Sequence, residues 1–256
     1  MEFGYIVAGF TVGLLVGLTG VGGGSLMTPI LVLFFHIKPA LAVGTDLLYA
    51  SITKTAGILA HGKLGNIEWK IVRLLALGSV PTSILTTLNL KHMDIASEAA
   101  VSSIKFWLGI ALLVTSLSVL FRNQLRTFSK TEHLINAKWT PYLTITLGIT
   151  LGFLVTLTSV GAGALGVTAL LIIYPNRSIN TIIGSDIAHA VPLTLVAGLG
   201  HASIGTVDYG LLGTLLIGSV PGIWVGSHLS SKVAEHWVRI ALALILIFVG
   251  LKLVFH

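Results

Sequence analysis

The sequence predicts an all-α integral membrane protein made of two homologous halves, 8 to 10 helical segments in all, with glycine-broken or re-entrant helices. Three observations carry this expectation. The first is composition: of 256 residues 54% are apolar and only 9% charged, with a mean hydropathy of +0.97. A soluble domain carries about 25% charged residues, so this chain cannot cover a water-facing surface. The second is the stretch Thr19-Gly-Val-Gly-Gly-Gly-Ser-Leu-Met-Thr-Pro29, which breaks an apolar run from Phe3 to Ile37. The third is an internal repeat. Together they imply one membrane domain over residues 1–256 with no soluble catalytic module, so the chain is read as no enzyme and as needing no cofactor.

Other classes fall away on the same grounds. Zero cysteines exclude disulfides, thiolate nucleophiles and thiolate metal sites. The net charge of +6 comes from basic residues scattered among apolar runs, so it reports topology rather than a nucleic-acid surface. The first apolar segment has no basic leader and continues past its glycines, unlike a cleaved signal peptide.

The repeat is ordered. Gly9, Thr11, Gly13, Thr19, Val21, Gly22, Gly24 and Leu26 recur 139 positions later as Gly148, Thr150, Gly152, Thr158, Val160, Gly161, Gly163 and Leu165. After one inserted residue, Gly44, Asp46, Ala50, Leu59, His61 and Gly65 match Gly184, Asp186, Ala190, Leu199, His201 and Gly205, and Gly78-Ser-Val-Pro81 returns as Gly218-Ser-Val-Pro221. Repeat 1 is expected at 1–121, a cytoplasmic linker at 122–140 and repeat 2 at 141–256.

Helix-length apolar runs in the first half cover roughly 4–20, 25–36, 40–60, 70–89 and 103–121, and in the second roughly 141–158, 164–174, 180–200, 208–227 and 237–255. The second run of each half is too short for the ~20 residues of a full crossing. Glycines at 22–24 readily take positive φ and weaken helix, so the chain should unwind there. If that break interrupts one crossing, the halves are parallel; if it marks a hairpin that turns back, they are inverted. Inversion places Lys63, Lys70, Arg73, Arg122, Arg126, Lys130, Lys138, Arg177, Lys232 and Arg239 inside, which fits the positive-inside bias better than the parallel count. Inverted repeats are therefore expected. Trp69, Trp107, Trp139, Trp224 and Trp237 mostly fall near span ends, as an aromatic belt would, and Pro81 and Pro221 are expected to kink the fourth run of each half.

The paired loops Gly-Val-Gly-Gly-Gly-Ser and Ser-Val-Gly-Ala-Gly-Ala, the Gly-Thr-Asp46 and Gly-Ser-Asp186 that follow, and the twin Gly-Ser-Val-Pro runs resemble the TauE/SafE (sulfite exporter) family of membrane transporters over nearly the whole chain. The resemblance implies a multi-pass cell-membrane protein, in the inner membrane if the source is Gram-negative, that transports sulfite, organosulfonates or other small anions. The chain departs from that pattern where Ala162 replaces the middle glycine of the second loop and Thr168 stands opposite Pro29, so the two half-sites are expected to be unequal.

The residues themselves point in a compatible direction. Backbone unwound in a bilayer must be buried in protein or line a wet cavity. Where helices restart after the glycines, free N–H groups and the positive dipole end favour an anion. Broken helices at matching places in two repeats mark a transporter's midplane site. Thr19, Gly22, Gly23, Gly24, Ser25, Thr28, Lys54, Thr158, Ser159, Gly161 and Gly163 are the expected substrate-binding residues. The rival reading of the glycines is close helix packing.

Asp46 and Asp186 hold equivalent places, Lys54 lies two turns beyond Asp46, and His189 lies three residues after Asp186. Charges inside a bilayer normally face a cavity or a partner. Asp46, Asp186 and His189 are assigned to proton or cation coupling and Lys54 to attracting the anion, against the rival reading of each Asp as an N-cap. A second function, divalent metal transport with Asp46, Asp186 and His189 as ligands, rests on their oxygen and imidazole donors. His61 and His201 are read as packing residues at helix ends, and the remaining histidines lack metal-ligand spacing.

Overall fold

A computed structural model describes residues 2–19, 25–61, 67–95, 97–132, 136, 138–229 and 235–255. Among them the chain is all helical, in ten helices: α1 (Glu2–Thr19), α2 (Met27–Leu33), α3 (Pro39–His61), α4 (Trp69–His92), α5 (Glu98–Glu132), α6 (Thr140–Thr158), α7 (Ala164–Ile173), α8 (Ile179–Ser203), α9 (Tyr209–Leu229) and α10 (Glu235–Phe255). Each half supplies five, matching the apolar runs. One boundary differs: α5 continues past Arg122 to Glu132, so much of the expected linker is helix. The segment 122–132 is rich in Arg, Gln, Leu, Lys and Glu, which favour helix where no proline or glycine intervenes.

Among the described residues six helical stretches are long and apolar enough to cross a membrane: Trp69–His92, Glu98–Arg122, Thr140–Thr158, Ile179–Ser203, Tyr209–Leu229 and Val238–Phe255. The short α2 and α7 are not. At 1.5 Å per residue α2 extends about 10 Å against a hydrocarbon core of about 30 Å. Each is instead buried in its own cluster of side chains. Met27 and Leu31 of α2 pack with Leu108, Leu112, Leu215 and Leu246, while Val167, Leu170 and Leu171 of α7 pack with Leu47, Leu75, Leu151 and Leu193. Burying most of such a short helix in protein makes a part-span tolerable in a bilayer.

Contacts between halves dominate. α1 packs on α9 and α6 on α4, exchanging partners between the repeats. Both seams close through glycine. Gly9, Gly13 and Gly17 lie against the backbone of Leu215, Ser219 and Ile223, while Gly218, Gly222 and Gly226 reciprocate against Ile6, Phe10 and Leu14. In the other seam Gly148 and Gly152 meet Leu75 and Ser79, and Gly78 meets Ile145. A Cβ on Gly13 or Gly152 would come within 2.8 Å of the Cα of Ser219 or Ser79. Such small-residue seams let backbones approach where lipid gives no hydrophobic drive between helices. The packing role of glycine thus operates along the helices, separately from the loops.

Equivalent helices also pair, and they run in opposite directions. In α3 and α8, Leu48 lies against Gly198 while Ser51 Oγ donates to Val191 O at 3.4 Å. In α5 and α10, Gly109 meets Val254 and Leu113 meets Gly250. Two hydroxyls stitch the halves at their ends: Glu68 N donates to Ser185 Oγ at 2.9 Å, and Asp208 N to Thr45 Oγ1 at 3.0 Å. At the first of these, Arg177 adds an ion pair with Glu68 at 3.0 Å. Trp69, Trp139 and Trp224 are exposed near helix ends or on the outer face, as belt residues would be, while Trp237 has no described side chain. Pro81, Pro192 and Pro221 all lie inside helices, Pro192 being the one not anticipated.

The seams give a stability prediction. Gly13→Ala and Gly152→Ala should each lower the apparent melting temperature in detergent by roughly 5 °C, as overpacking does. Gly213→Ala, whose Cβ would meet nothing within 4 Å, should leave it unchanged in the same fluorescence-monitored melt.

Candidate functional site

The second loop is built by backbone that only special residues accept easily. α6 ends at Ser159, which takes φ 59°, and Gly161 and Gly163 follow at φ 121° and 123°. These angles favour glycine because a Cβ is strained there. They explain why the loop keeps glycine at 161 and 163 while tolerating Ala at 162. Thr158 holds the turn: its Oγ1 donates to Leu154 O at 2.7 Å and accepts from Val160 N at 3.1 Å. The loop then delivers the chain into α7, where the Gly166 and Val167 N–H groups donate to Gly161 O and Gly163 O, both at 3.2 Å, which leaves those of Ala164 and Leu165 at the open end of the helix.

Of the first loop, Gly22, Gly23 and Gly24 and the side chain of Thr19 lie outside the described residues, as does the side chain of His61. Ser25 is buried at the exit of that loop. Thr28 is wholly buried and committed to Asp46: its Oγ1 donates to Oδ2 at 2.6 Å and its N–H to the same oxygen at 3.2 Å. Asp46 therefore holds the first turn of α2 from α3. It is not the N-cap of its own helix, where it sits in the interior.

Asp186 is its counterpart in α8, likewise interior, with Ser178 as the true N-cap accepting from Thr181 N at 3.1 Å. Its carboxylate lies against Gly166 in the first turn of α7 and faces the Gly163 N–H. Neither oxygen makes an aligned hydrogen bond, and Asp186 is 0% exposed. So each buried Asp serves the short helix of its own half, the first closely and the second loosely.

The second loop also meets the first half. Lys54 Nζ donates to Ala162 O at 3.0 Å, and the Ser159 hydroxyl lies beside the Asp46 carboxylate without an aligned bond. Lys54 is within electrostatic range of both Asp46 and Asp186, and of His189. The site thus gathers Ser159, Gly161, Gly163, Lys54, Asp46, Asp186 and His189 around one loop. Thr28 and Thr158 are brought there too, but their hydroxyls are spent on the protein itself.

Buried polar atoms in a folded chain are normally paired, and those left over need a reason. Here Asp46 Oδ1, Tyr49 Oη, Ser159 Oγ, both Asp186 oxygens and His189 Nδ1 have no aligned partner. These belong to the same few turns of α3, α8 and the second loop, while Thr115 Oγ1 of α5 is a further buried atom without an aligned partner. Tyr49, Ser79 and Ser219 were not singled out from sequence. The repeat offset could have found them, since it makes Tyr49 the counterpart of His189 and aligns the serines of the two Gly-Ser-Val-Pro runs.

Metal ligation is not favoured. Among the described residues no group of three or more His, Asp or Glu could hold an ion, and His189 Nε2 is already 2.7 Å from Ser79 Oγ. His201 is a structural tie, its Nε2 2.9 Å from Thr156 O and its Nδ1 2.8 Å from Thr206 Oγ1. Because Thr28 pairs a charged group inside the fold, Thr28→Val should cost about 1–3 kcal/mol. Thermal unfolding in detergent, compared with Thr28→Ser, checks this.

Comparison with known proteins assigns the chain to a family. The family model described as Sulfite exporter TauE/SafE matches residues 5–253. The probable membrane transporter protein YjnA of Bacillus subtilis is 40% identical over 99% of this chain and 100% of its own length. YdhB of the same organism is 28% identical over 98% of this chain and 99% of its own, and MJ0441 of Methanocaldococcus jannaschii 29% identical over 96% and 92%; both are likewise named probable membrane transporter proteins. No solved structure matches the chain. Six spanning helices and a family match over almost every residue make this a multi-pass membrane transporter, and the chain belongs to the TauE/SafE family.

Proposed function

We propose that the chain is a secondary transporter of a small oxyanion of the sulfite or organosulfonate type, held between the two glycine loops and moved together with a proton. The observation that carries this reading is the Lys54 ammonium, anchored on Ala162 O between two buried carboxylates. Lys54 has three N–H donors and spends one on the loop carbonyl, which leaves two for a ligand. The Ser159 hydroxyl and the first amides of α7 add neutral donors suited to a pyramidal or tetrahedral oxyanion. Such directed donors recognise oxygen geometry better than a diffuse positive surface would.

Charge balance supplies the coupling. One ammonium against two ionised carboxylates leaves the pocket net negative and repels an anion. A proton on one carboxylate makes the pocket neutral and removes that repulsion. Asp186 is the better candidate for that proton, because Asp46 is already bonded twice to Thr28.

Inverted halves are part of the same proposal. A repeat axis along the membrane normal would run equivalent helices in parallel, whereas α3 against α8 and α5 against α10 run oppositely. The Arg177–Glu68 pair supports the same topology, because inversion puts both residues on the inner side and a parallel arrangement separates them. An axis in the membrane plane would relate two such loops entering from opposite sides, as alternating access requires.

Uptake of labelled sulfite, sulfoacetate, thiosulfate and sulfate into liposomes is the test. Accumulation of at least one is expected under a pH gradient, and no transport of any, with or without the gradient, refutes the reading. Lys54→Gln should weaken anion binding about tenfold or more at unchanged yield, the size of a lost charged hydrogen bond; equal affinity would remove Lys54 from the site. Asp186→Asn should retain anion exchange yet lose gradient-driven accumulation. For topology, the chain has no native cysteine, so single cysteines at Lys138, Arg177 and Asp208 can be labelled directly. The first two should react from one side and the third from the other.

A further inference from the structure

At the repeat offset the two halves differ in chemistry at one buried pair, Tyr49 and His189. Each follows its half's buried Asp by three residues, and each ring reaches a serine of the other half's Gly-Ser-Val-Pro run. His189 Nε2 stands 2.7 Å from Ser79 Oγ, while the Tyr49 hydroxyl lies beside Ser219 without an aligned bond.

The two serines are used differently. Ser219 Oγ donates to Leu216 O of its own helix at 3.4 Å. Ser79 is 0% exposed, and its hydroxyl has no other acceptor among the described contacts. A buried hydroxyl proton without an acceptor is costly, so Ser79 donates to Nε2. A neutral imidazole carries one proton, which then resides on Nδ1. His189 Nδ1 is buried and has no protein partner, so its proton stays available to a ligand.

We propose that Ser79 is a positioning residue that holds His189 as the Nδ1–H tautomer, so that the imidazole presents a buried hydrogen-bond donor to an oxygen of the bound anion. This rests on the oxyanion reading above. It makes the half-sites unequal in a defined way: a fixed imidazole donor in one half and a phenol in the other. The contact itself is set by the glycine seam, because Gly152 lies against the backbone of Ser79 on the face of α4 turned to α6.

The test is magnetic resonance of the full chain in lipid nanodiscs with 13C,15N-labelled histidine, assigning His189 by difference from His189→Asn. The wild type should show the Nδ1–H tautomer, Ser79→Ala should lose it and Ser79→Thr should keep it. In liposomes, Ser79→Ala should raise the KM for sulfite about tenfold, the scale of one hydrogen bond to a buried group, with Ser79→Thr restoring it. His189→Asn, whose amide nitrogen stands near the position of Nδ1, should retain more uptake than His189→Gln. An Nε2–H tautomer in the wild type overturns the proposal without needing any Ser79 variant to fold. So does an unchanged tautomer and KM in Ser79→Ala. If the tautomer behaves as stated but no anion is transported, the donor role toward an anion is overturned together with the function proposed above, while the Ser79 contact stands.

Discussion

Backbone-to-backbone contact across glycine is the constraint on which the rest of this structure depends. Helices in a membrane gain little from burying apolar side chains against each other, since lipid is as apolar as leucine, so they associate where shape allows atoms to approach. Among the described residues the closest glycine-to-backbone approaches join one half to the other: α1 to α9, α6 to α4 and Gly44 of α3 to Thr206. A half on its own would leave these glycine faces without a partner. The repeat is therefore a packing necessity as well as a trace of duplication.

The seams also place the chemistry. Ser79 and Ser219 sit where Gly152 and Gly13 press against their backbone, with their hydroxyls left to approach His189 and Tyr49 on α8 and α3. The same helices carry Asp186 and Asp46 one turn earlier, against the first turns of α7 and α2. Tight packing on one side of α4 and α9 thus coexists with incomplete polar pairing on the other. Rigid seams around a loosely satisfied centre are what a site that exchanges a charged ligand requires, because the unpaired groups are cheap to re-pair and the frame does not collapse into them.

The centre is asymmetric although the frame is not. Lys54 corresponds to Thr194 in the second half, and Tyr49 to His189. Thr194 spends its hydroxyl on Ala190 O, while Lys54 reaches across to the opposite loop. A duplicated frame with unequal fillings lets one half bring positive charge and the other an unpaired carboxylate and an imidazole. That division of labour suits the binding of an anion with a compensating proton.

The sequence by itself determined an all-helical membrane chain of 8 to 10 segments, the short second run of each half and the repeat spacing, because apolar periodicity, glycine runs and identical spacing are local properties of the chain. It also marked Asp46, Asp186, Lys54 and His189, since a charged or ionisable group in an apolar run stands out without any structure. Only the tertiary structure decided what these groups touch. Sequence allowed each Asp to cap its own helix, yet Asp46 bonds to Thr28 across 18 residues. It gave Thr28 and Thr158 as free hydroxyl donors, yet both are consumed, one by a carboxylate and one by its own turn. Tyr49 and Ser79 looked like ordinary helix residues, because their meaning lies in partners more than a hundred positions away. Gly161 and Gly163 look like the seam glycines in the sequence; positive φ in one case and an opposing backbone in the other are what separate a turn from a packing surface.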